Sequence, residues 1–351
     1  MKKLSKLIAM ALSAAMVFSL AACSSGNSGD STAPSGQPSA SAASQDPAGG
    51  GQTPANGETY VVGICQLAPH TALDAATKGF KDALTEALGD SVTFKEGNAG
   101  GDANNCITIV DGFLSEGVDL ILGNATGALQ AAANATGDIP VLGTAVTNYG
   151  IALDLDSTED GVLGGNVSGT SDLAPLDQQA AMLQELFPET EYPNVGLLYC
   201  SAEPNSVFQV ETIQGYLEEM GYTCTTYAFT DANDLASVAQ TACDGSDVIY
   251  IPTDNTAANN TETIANVVLP AGVPVVAGEQ GICAGCGVVT LSIDYEELGR
   301  ITGEMAVQIL TGQDQVSEMS IAYDDTLTKL YNADNCEALG ITPPEGYQPI
   351  A

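Results

Sequence analysis

The chain is predicted to be an α/β protein with parallel sheets. Three observations carry this: short apolar runs recur from residue 60 onward, each closes on a polar or glycine break, and a segment with helical spacing follows. The expected strands are 60–65, 92–94, 118–122, 141–142, 195–199, 223–229, 248–251, 275–277 and 288–293. The expected helices are 72–88, 103–115, 126–135, 175–186, 206–220, 232–242, 257–268 and 295–310. In the first of these Leu73, Ala76, Phe80, Leu84 and Ala87 recur at three- and four-residue steps and share one face. Two series are visible, the second opening behind the Gly-, Ser- and Asp-rich stretch 165–175, which reads as a passage between two lobes.

The stretch 247–255 shows how such a strand can carry chemistry. Val248, Ile249, Tyr250 and Ile251 read as a strand buried on both faces, stopped by Pro252, Thr253, Asp254 and Asn255. In open α/β sheets ligands bind beyond the carboxyl ends of the strands, which is where this polar tip falls. The same residue types also cap helices best, so cap and ligand contact both stand as readings of Asp254.

At 351 residues the chain suits two domains, and a hydrophobic fraction of 44% supplies their cores. Its formal charge is -36, which leaves little to neutralise phosphates and argues against nucleic acid or an anionic membrane surface as partner. The acidic residues are scattered, as a solvated surface requires. Lys2, Lys3 and Lys6 precede an apolar run from Leu7 to Leu20, and Leu20-Ala-Ala-Cys23 resembles a bacterial lipobox. That resemblance implies a signal peptide over 1–22, a lipid on Cys23 and a location outside the cytoplasmic membrane. Residues 24–57 are almost wholly small and polar, so they read as a disordered tether spanning roughly 30 Å. Eight cysteines remain after Cys23, with pairing left open.

Seven segments in order carry a family likeness: Pro69-His-Thr-Ala-Leu-Asp-Ala-Ala-Thr-Lys-Gly-Phe-Lys-Asp82, Ala132-Ala-Asn-Ala-Thr-Gly-Asp-Ile-Pro-Val141, Gly143-Thr-Ala-Val-Thr147, Gly165-Asn-Val-Ser-Gly-Thr-Ser-Asp-Leu-Ala-Pro175, Glu203-Pro-Asn-Ser206, Tyr250-Ile-Pro-Thr-Asp-Asn-Thr256 and Ile293-Asp-Tyr-Glu-Glu-Leu-Gly-Arg300. Together they resemble the substrate-binding lipoproteins of ABC transporters, in the TrpX-type group that includes tryptophan- and tyrosine-binding members. The likeness covers about residues 60–345. It implies a type 1 periplasmic-binding-protein fold, two Rossmann-like lobes with parallel sheets joined by three crossovers, with the ligand between them. The crossovers are expected near 171–173, 293–295 and 317–321. Lobe one is then 60–170 plus 296–318, and lobe two 171–295 plus 319–351. The expected function is delivery of an amino acid-like ligand, aromatic or hydrophobic, to an ABC permease by a monomeric, lipid-anchored receptor.

For such a ligand the carboxylate would meet backbone N–H groups and hydroxyls at helix starts, since Arg300 is the only arginine. Thr126, Thr144, Ser171, Asn205 and Ser206 are the candidates. The ammonium would meet a carboxylate, with Asp254 ranked first, Glu279 second and Asp172 third; Thr253 and Asn255 flank the first of these. Gln66 and His70 follow the first strand, and His70, the only histidine, either stacks on a ligand ring or hydrogen-bonds within its loop. Tyr149, Tyr199, Phe208 and Tyr295 are candidate walls, each open to a core reading. The chain departs from the family at Asn148-Tyr149, where Asp-Pro is usual, and at Cys283-Ala-Gly-Cys286.

Rival functions find less support. Cys283 and Cys286 raise an exported thiol-disulfide enzyme, but the segment after them reads as a strand rather than the helix that activates a Cys-x-x-Cys thiolate. A zinc site lacks a second pair of ligands. Neither a nucleophile elbow nor a phosphate loop occurs, so no enzyme, metal or cofactor is expected. A sugar or nucleoside receptor of the same fold is the nearer alternative, weakened by the absence of Trp.

Overall fold

The computed structural model describes residues 58–155 and 161–350; the signal-like segment, Cys23 and the whole tether lie outside them. In chain order the elements are β1 (Tyr60–Gln66), α1 (Thr71–Leu88), β2 (Val92–Asn98), α2 (Ala103–Glu116), β3 (Leu120–Asn124), α3 (Thr126–Ala135), β4 (Val141–Thr144), α4 (Tyr149–Ala152) and β5 (Val167–Ser171). Next come α5 (Leu176–Leu186), β6 (Asn194–Cys200), α6 (Pro204–Glu219), β7 (Thr223–Phe229), α7 (Ala232–Gly245), β8 (Val248–Ile251), α8 (Asn255–Ala258), α9 (Thr261–Ala271), β9 (Val275–Ala277), α10 (Gln280–Gly285) and β10 (Val289–Ser292). The chain ends with α11 (Tyr295–Leu310), β11 (Ala322–Tyr323), β12 (Thr328–Tyr331), α12 (Ala333–Leu339) and β13 (Gln348–Pro349).

The strands form two sheets, ordered β11-β5-β4-β3-β1-β2 and β13-β12-β10-β9-β8-β6-β7. Every pairing is parallel except β10 with β12. Both faces of the first sheet are covered. Leu120 and Leu122 of β3 meet Phe80 and Met305, whereas Ile121, pointing the other way, packs with Val110 and Phe113. The second sheet repeats the arrangement, with Tyr250 on one face and Ile249 and Ile251 on the other.

The chain passes between sheets three times, over 172–175, 293–294 and 324–327. The last passage lies beyond the expected 317–321, because Ala322 and Tyr323 still pair with Thr170 and Ser171 of β5. The stretch 165–175 is likewise more than a passage: it contains β5. That strand is hard to see in the sequence because its buried side chains are small and polar. Ser168 donates to the Met319 carbonyl, and the Thr170 hydroxyl bonds that of Thr302 on α11. Helices α4, α8, α10 and α12 were also not expected; at four to seven residues they are too short for periodicity to register.

Strand order reverses beside β1 in the first sheet and beside β6 in the second, and in each sheet that reversal opens a crevice at the strands' carboxyl ends. The loop after β1 carries His70. The loops after β6 and β8 carry Glu203 and Asp254.

Candidate ligand-binding site

A narrow cavity of about 10 Å³, little more than the room of one water molecule, lies between the two sheets' carboxyl ends. The first half lines it with His70, Ala72, Leu73, Ala145 and Thr147, the second with Asn205, Thr253, Asp254, Asn255, Ala258 and Glu279; Asp172 and Tyr295 enter from the passages. Ala145 holds a left-handed backbone, φ 53°, at this wall, a strained conformation of the kind that clusters at ligand sites. One side-chain contact closes the cavity across the halves: His70 Nε2 lies 3.2 Å from Asn255 Oδ1.

Seven of the twelve residues singled out in the sequence meet here: His70, Asp172, Asn205, Thr253, Asp254, Asn255 and Glu279. The other five do not line the cavity. Gln66 is spent within its own half, donating to the Ala68 carbonyl and Asp74 and accepting from Thr77. Thr126 and Thr144 are buried, the latter bonded by Thr170. Ser171 donates to the Thr147 carbonyl, and Ser206 supports Asp254 and Asn205 from behind. Of the aromatic candidates only Tyr295 is a wall. Tyr149 is core, its hydroxyl donating to the Thr170 carbonyl, and Tyr199 and Phe208 are half-buried elsewhere. Ala72, Leu73, Ala145, Thr147 and Ala258 also line the cavity without having been singled out; four of them are apolar and carry no chemical signal, and Thr147, three residues beyond β4, has nothing in the sequence to set it apart.

The three carboxylates differ in what already holds them. Asp254 caps α8: Oδ1 accepts from Ala257 N (2.8 Å) and Oδ2 from Cys200 N (2.6 Å). Glu279 caps α10, accepting from Gly281 N (2.6 Å) and Ile282 N. Asp172 caps nothing. Its Oδ2 accepts from the Tyr295 hydroxyl (3.1 Å), while Oδ1 is buried and unpaired. The Thr147 hydroxyl is close enough to moderate the carboxyl's acidity without bonding Oδ1. Burial raises all three: Asp172 to about 6, Glu279 to about 7, and Asp254, with the Glu203 charge adding, to about 8. The sequence ranks Asp254 first, but Asp254 and Glu279, the helix caps, already have both oxygens hydrogen-bonded. Asp172 alone among these carboxylates offers an open acceptor.

Donors can be sorted the same way. Glu203 accepts from the N–H groups of Asn255 and Thr256 and from both their side chains, so the start of α8 is filled. Glu279 fills the start of α10. Helix α1 is different: its first turn has no side-chain cap, and Ala72 and Leu73 of that turn face the cavity. No lysine or arginine lines the space; Lys78, Lys81, Lys95, Arg300 and Lys329 are all paired with surface carboxylates. Among the described residues no cluster of His, Cys, Asp and Glu could hold a metal ion.

Cys283 and Cys286 sit on and just after α10, both buried and both free. Burial and the neighbouring Glu279 carboxylate push each thiol up, the reverse of what an attacking thiolate needs. The remaining described cysteines are free thiols too.

Comparison with known proteins agrees with this architecture. The family model for ABC transporter substrate binding protein matches residues 61–348. A tyrosine-binding protein of Clostridioides difficile is 32% identical over 284 residues, covering 79% of this chain and 80% of the relative. Among solved structures, a Streptococcus pneumoniae ABC domain in complex with L-Trp is 32% identical with TM-score 0.78, covering 84% of this chain and all of that one. The ligand-free, open structure of a Clostridium difficile substrate-binding protein is 33% identical with TM-score 0.64, covering 83% and 99%. The chain belongs to the ABC transporter substrate-binding protein family and has the type 1 periplasmic-binding-protein fold.

Proposed function

We propose that the chain is the extracytoplasmic receptor of an ABC importer for an aromatic or hydrophobic amino acid. It is held to the membrane by a lipid on Cys23, acts as a monomer and performs no catalysis. The observation that carries the ligand class is the unpaired Asp172 Oδ1, buried in a cavity that no lysine or arginine lines. A desolvated carboxylate with an open acceptor favours an arriving cation, which the α-ammonium supplies. The uncapped first turn of α1 supplies N–H donors for the ligand carboxylate, without the arginine that the cavity lacks.

The two lobes are 60–171 with 295–323 and 176–292 with 328–350, hinged at the three passages. The greater likeness to the tryptophan-bound relative than to the open, ligand-free one, at nearly equal identity, supports a closed arrangement. Relatives that bind tyrosine and tryptophan support the ligand class. Calorimetric titration of protein refolded to strip bound ligand, against the twenty amino acids, sugars and nucleosides, tests the reading. At least one aromatic or hydrophobic amino acid should bind; binding confined to a sugar or nucleoside would refute it.

A further inference from the structure

Glu203 lies outside the cavity, in an outer cleft that shares Asn205 and Asn255 with it. Its Oε1 accepts from the Thr256 N–H (2.8 Å) and hydroxyl (2.7 Å), and its Oε2 from the Asn255 N–H (3.0 Å) and side-chain amide (2.7 Å). Because a carboxylate only accepts, it fixes which way the Asn255 amide is turned: Nδ2 toward Glu203, Oδ1 toward the other half. There Oδ1 lies 3.2 Å from His70 Nε2. An amide oxygen also only accepts, so Nε2 must carry the ring hydrogen. Nδ1 is left a bare acceptor, buried and without a partner, on a residue that lines the cavity.

We infer that Glu203 is a positioning residue for ligand capture: acting through Asn255, it latches the two halves at His70 and holds the imidazole in its Nε2–H form. This rests on the reading of the cavity as an amino acid site. In Glu203→Gln either orientation of the new amide sets its NH2 against a backbone N–H, of Asn255 or of Thr256. Asn255 is then free to turn over. Its Nδ2 would face Nε2–H, donor against donor, until the ring takes the other tautomer and Nδ1 becomes a donor at the cavity wall. Closure and the polarity of that wall thus change together. Thr256 shares the same carboxylate but is not part of the cavity lining, so it separates holding α8 from aiming Asn255.

The test is heteronuclear NMR of the ring nitrogens in isotope-labelled, untagged protein refolded to strip bound ligand, at pH 8, above the imidazole's ordinary value of 6.5, which burial lowers further. His70 is the only histidine, so one pair of ring signals reports the tautomer. Spectra are taken with an equimolar mixture of the twenty unlabelled L-amino acids for the wild type, Glu203→Gln, Asn255→Ala and Thr256→Val. L-tyrosine and L-tryptophan are titrated calorimetrically into each. The wild type should hold Nε2–H alone, whereas Glu203→Gln and Asn255→Ala should populate Nδ1–H and lose on the order of 10-fold in affinity. Thr256→Val should keep both the tautomer and the affinity, whatever it costs in stability. The wild-type ring form in Glu203→Gln would overturn the inference and leave the amino acid receptor standing, as would equal effects of Glu203→Gln and Thr256→Val. If Glu203→Gln does not fold, Asn255→Ala carries the test, and an unmoved tautomer there overturns the inference. A wild type whose ring signals ignore the mixture and which binds neither amino acid also overturns it; whether the receptor reading falls with it is decided by the wider titration above.

Discussion

Asp172 and Asp254 are both acidic, both buried and both just beyond a strand, yet their removal should have different consequences. Asp172→Asn keeps a donor-acceptor group beside Tyr295 but loses the charge facing the cavity, so amino acid affinity should fall by about 10-fold or more while the unfolding midpoint barely moves. Asp254→Ala strands the buried N–H groups of Cys200 and Ala257. It should cost about 1–3 kcal/mol in a urea titration, through loss of a cap and two unpaired donors. If Asp254→Ala instead leaves stability intact and abolishes binding, the ordering of these carboxylates is wrong. The distinction was partly legible in the sequence. A helix starting at Asp172 would have Pro175 as its third residue, and proline has no N–H for a capping side chain to accept. Asp254 is followed by Asn-Thr-Ala, which can supply that N–H. What could not be read was the reach of Cys200 N to Asp254, because it spans from β6 to the loop after β8.

At the level of elements, the contact between α1 and α11 ties the cavity wall to the second passage. Ala72 and Leu73 open α1, Tyr295 opens α11, and the two helices pack along their length. Their approach needs glycine: a Cβ on Gly79 would lie 1.9 Å from the Glu296 carbonyl oxygen, and one on Gly299 would lie 2.0 Å from that of Ala76. Gly299→Ala should therefore force the helices apart. It should lower stability by at least the roughly 1–3 kcal/mol typical of overpacking, read as a drop in the thermal midpoint. An unchanged midpoint would show that the helices are not so closely held. The long helices and apolar strands were readable from periodicity, because apolar burial leaves a hydropathy record. The segments that finish the site left none: β5 buries Ser168 and Thr170 through hydrogen bonds, and α8 and α10 are one to two turns fixed by a carboxylate cap. Their signals are capping patterns, which a search for periodicity passes over.

For the whole molecule, the buried carboxylates should make stability and affinity respond to pH in opposite directions. Asp172, Glu279 and Asp254 have ordinary values of 3.8, 4.5 and 3.8 and are raised to about 6, 7 and 8 in the fold. Across that window the folded chain holds more protons than the unfolded one, so the unfolding free energy declines as pH rises from about 4 to about 8. His70 opposes this below its ordinary value of 6.5: burial lowers it, so the unfolded chain binds its proton first, which offsets part of the gain from the three carboxylates on acidification. The ligand-free protein should accordingly show its highest thermal midpoint in mild acid and lose stability toward pH 8.5. A cationic ammonium does the reverse, because it favours ionised Asp172 and is helped by neutral His70, so affinity should rise from pH 5 to pH 7 with proton release. Titrations at pH 6 in two buffers of different ionisation enthalpy would report that release as a buffer-dependent heat. A buffer-independent heat, or affinity that weakens as pH rises, would mean that the ligand does not place its positive charge on Asp172.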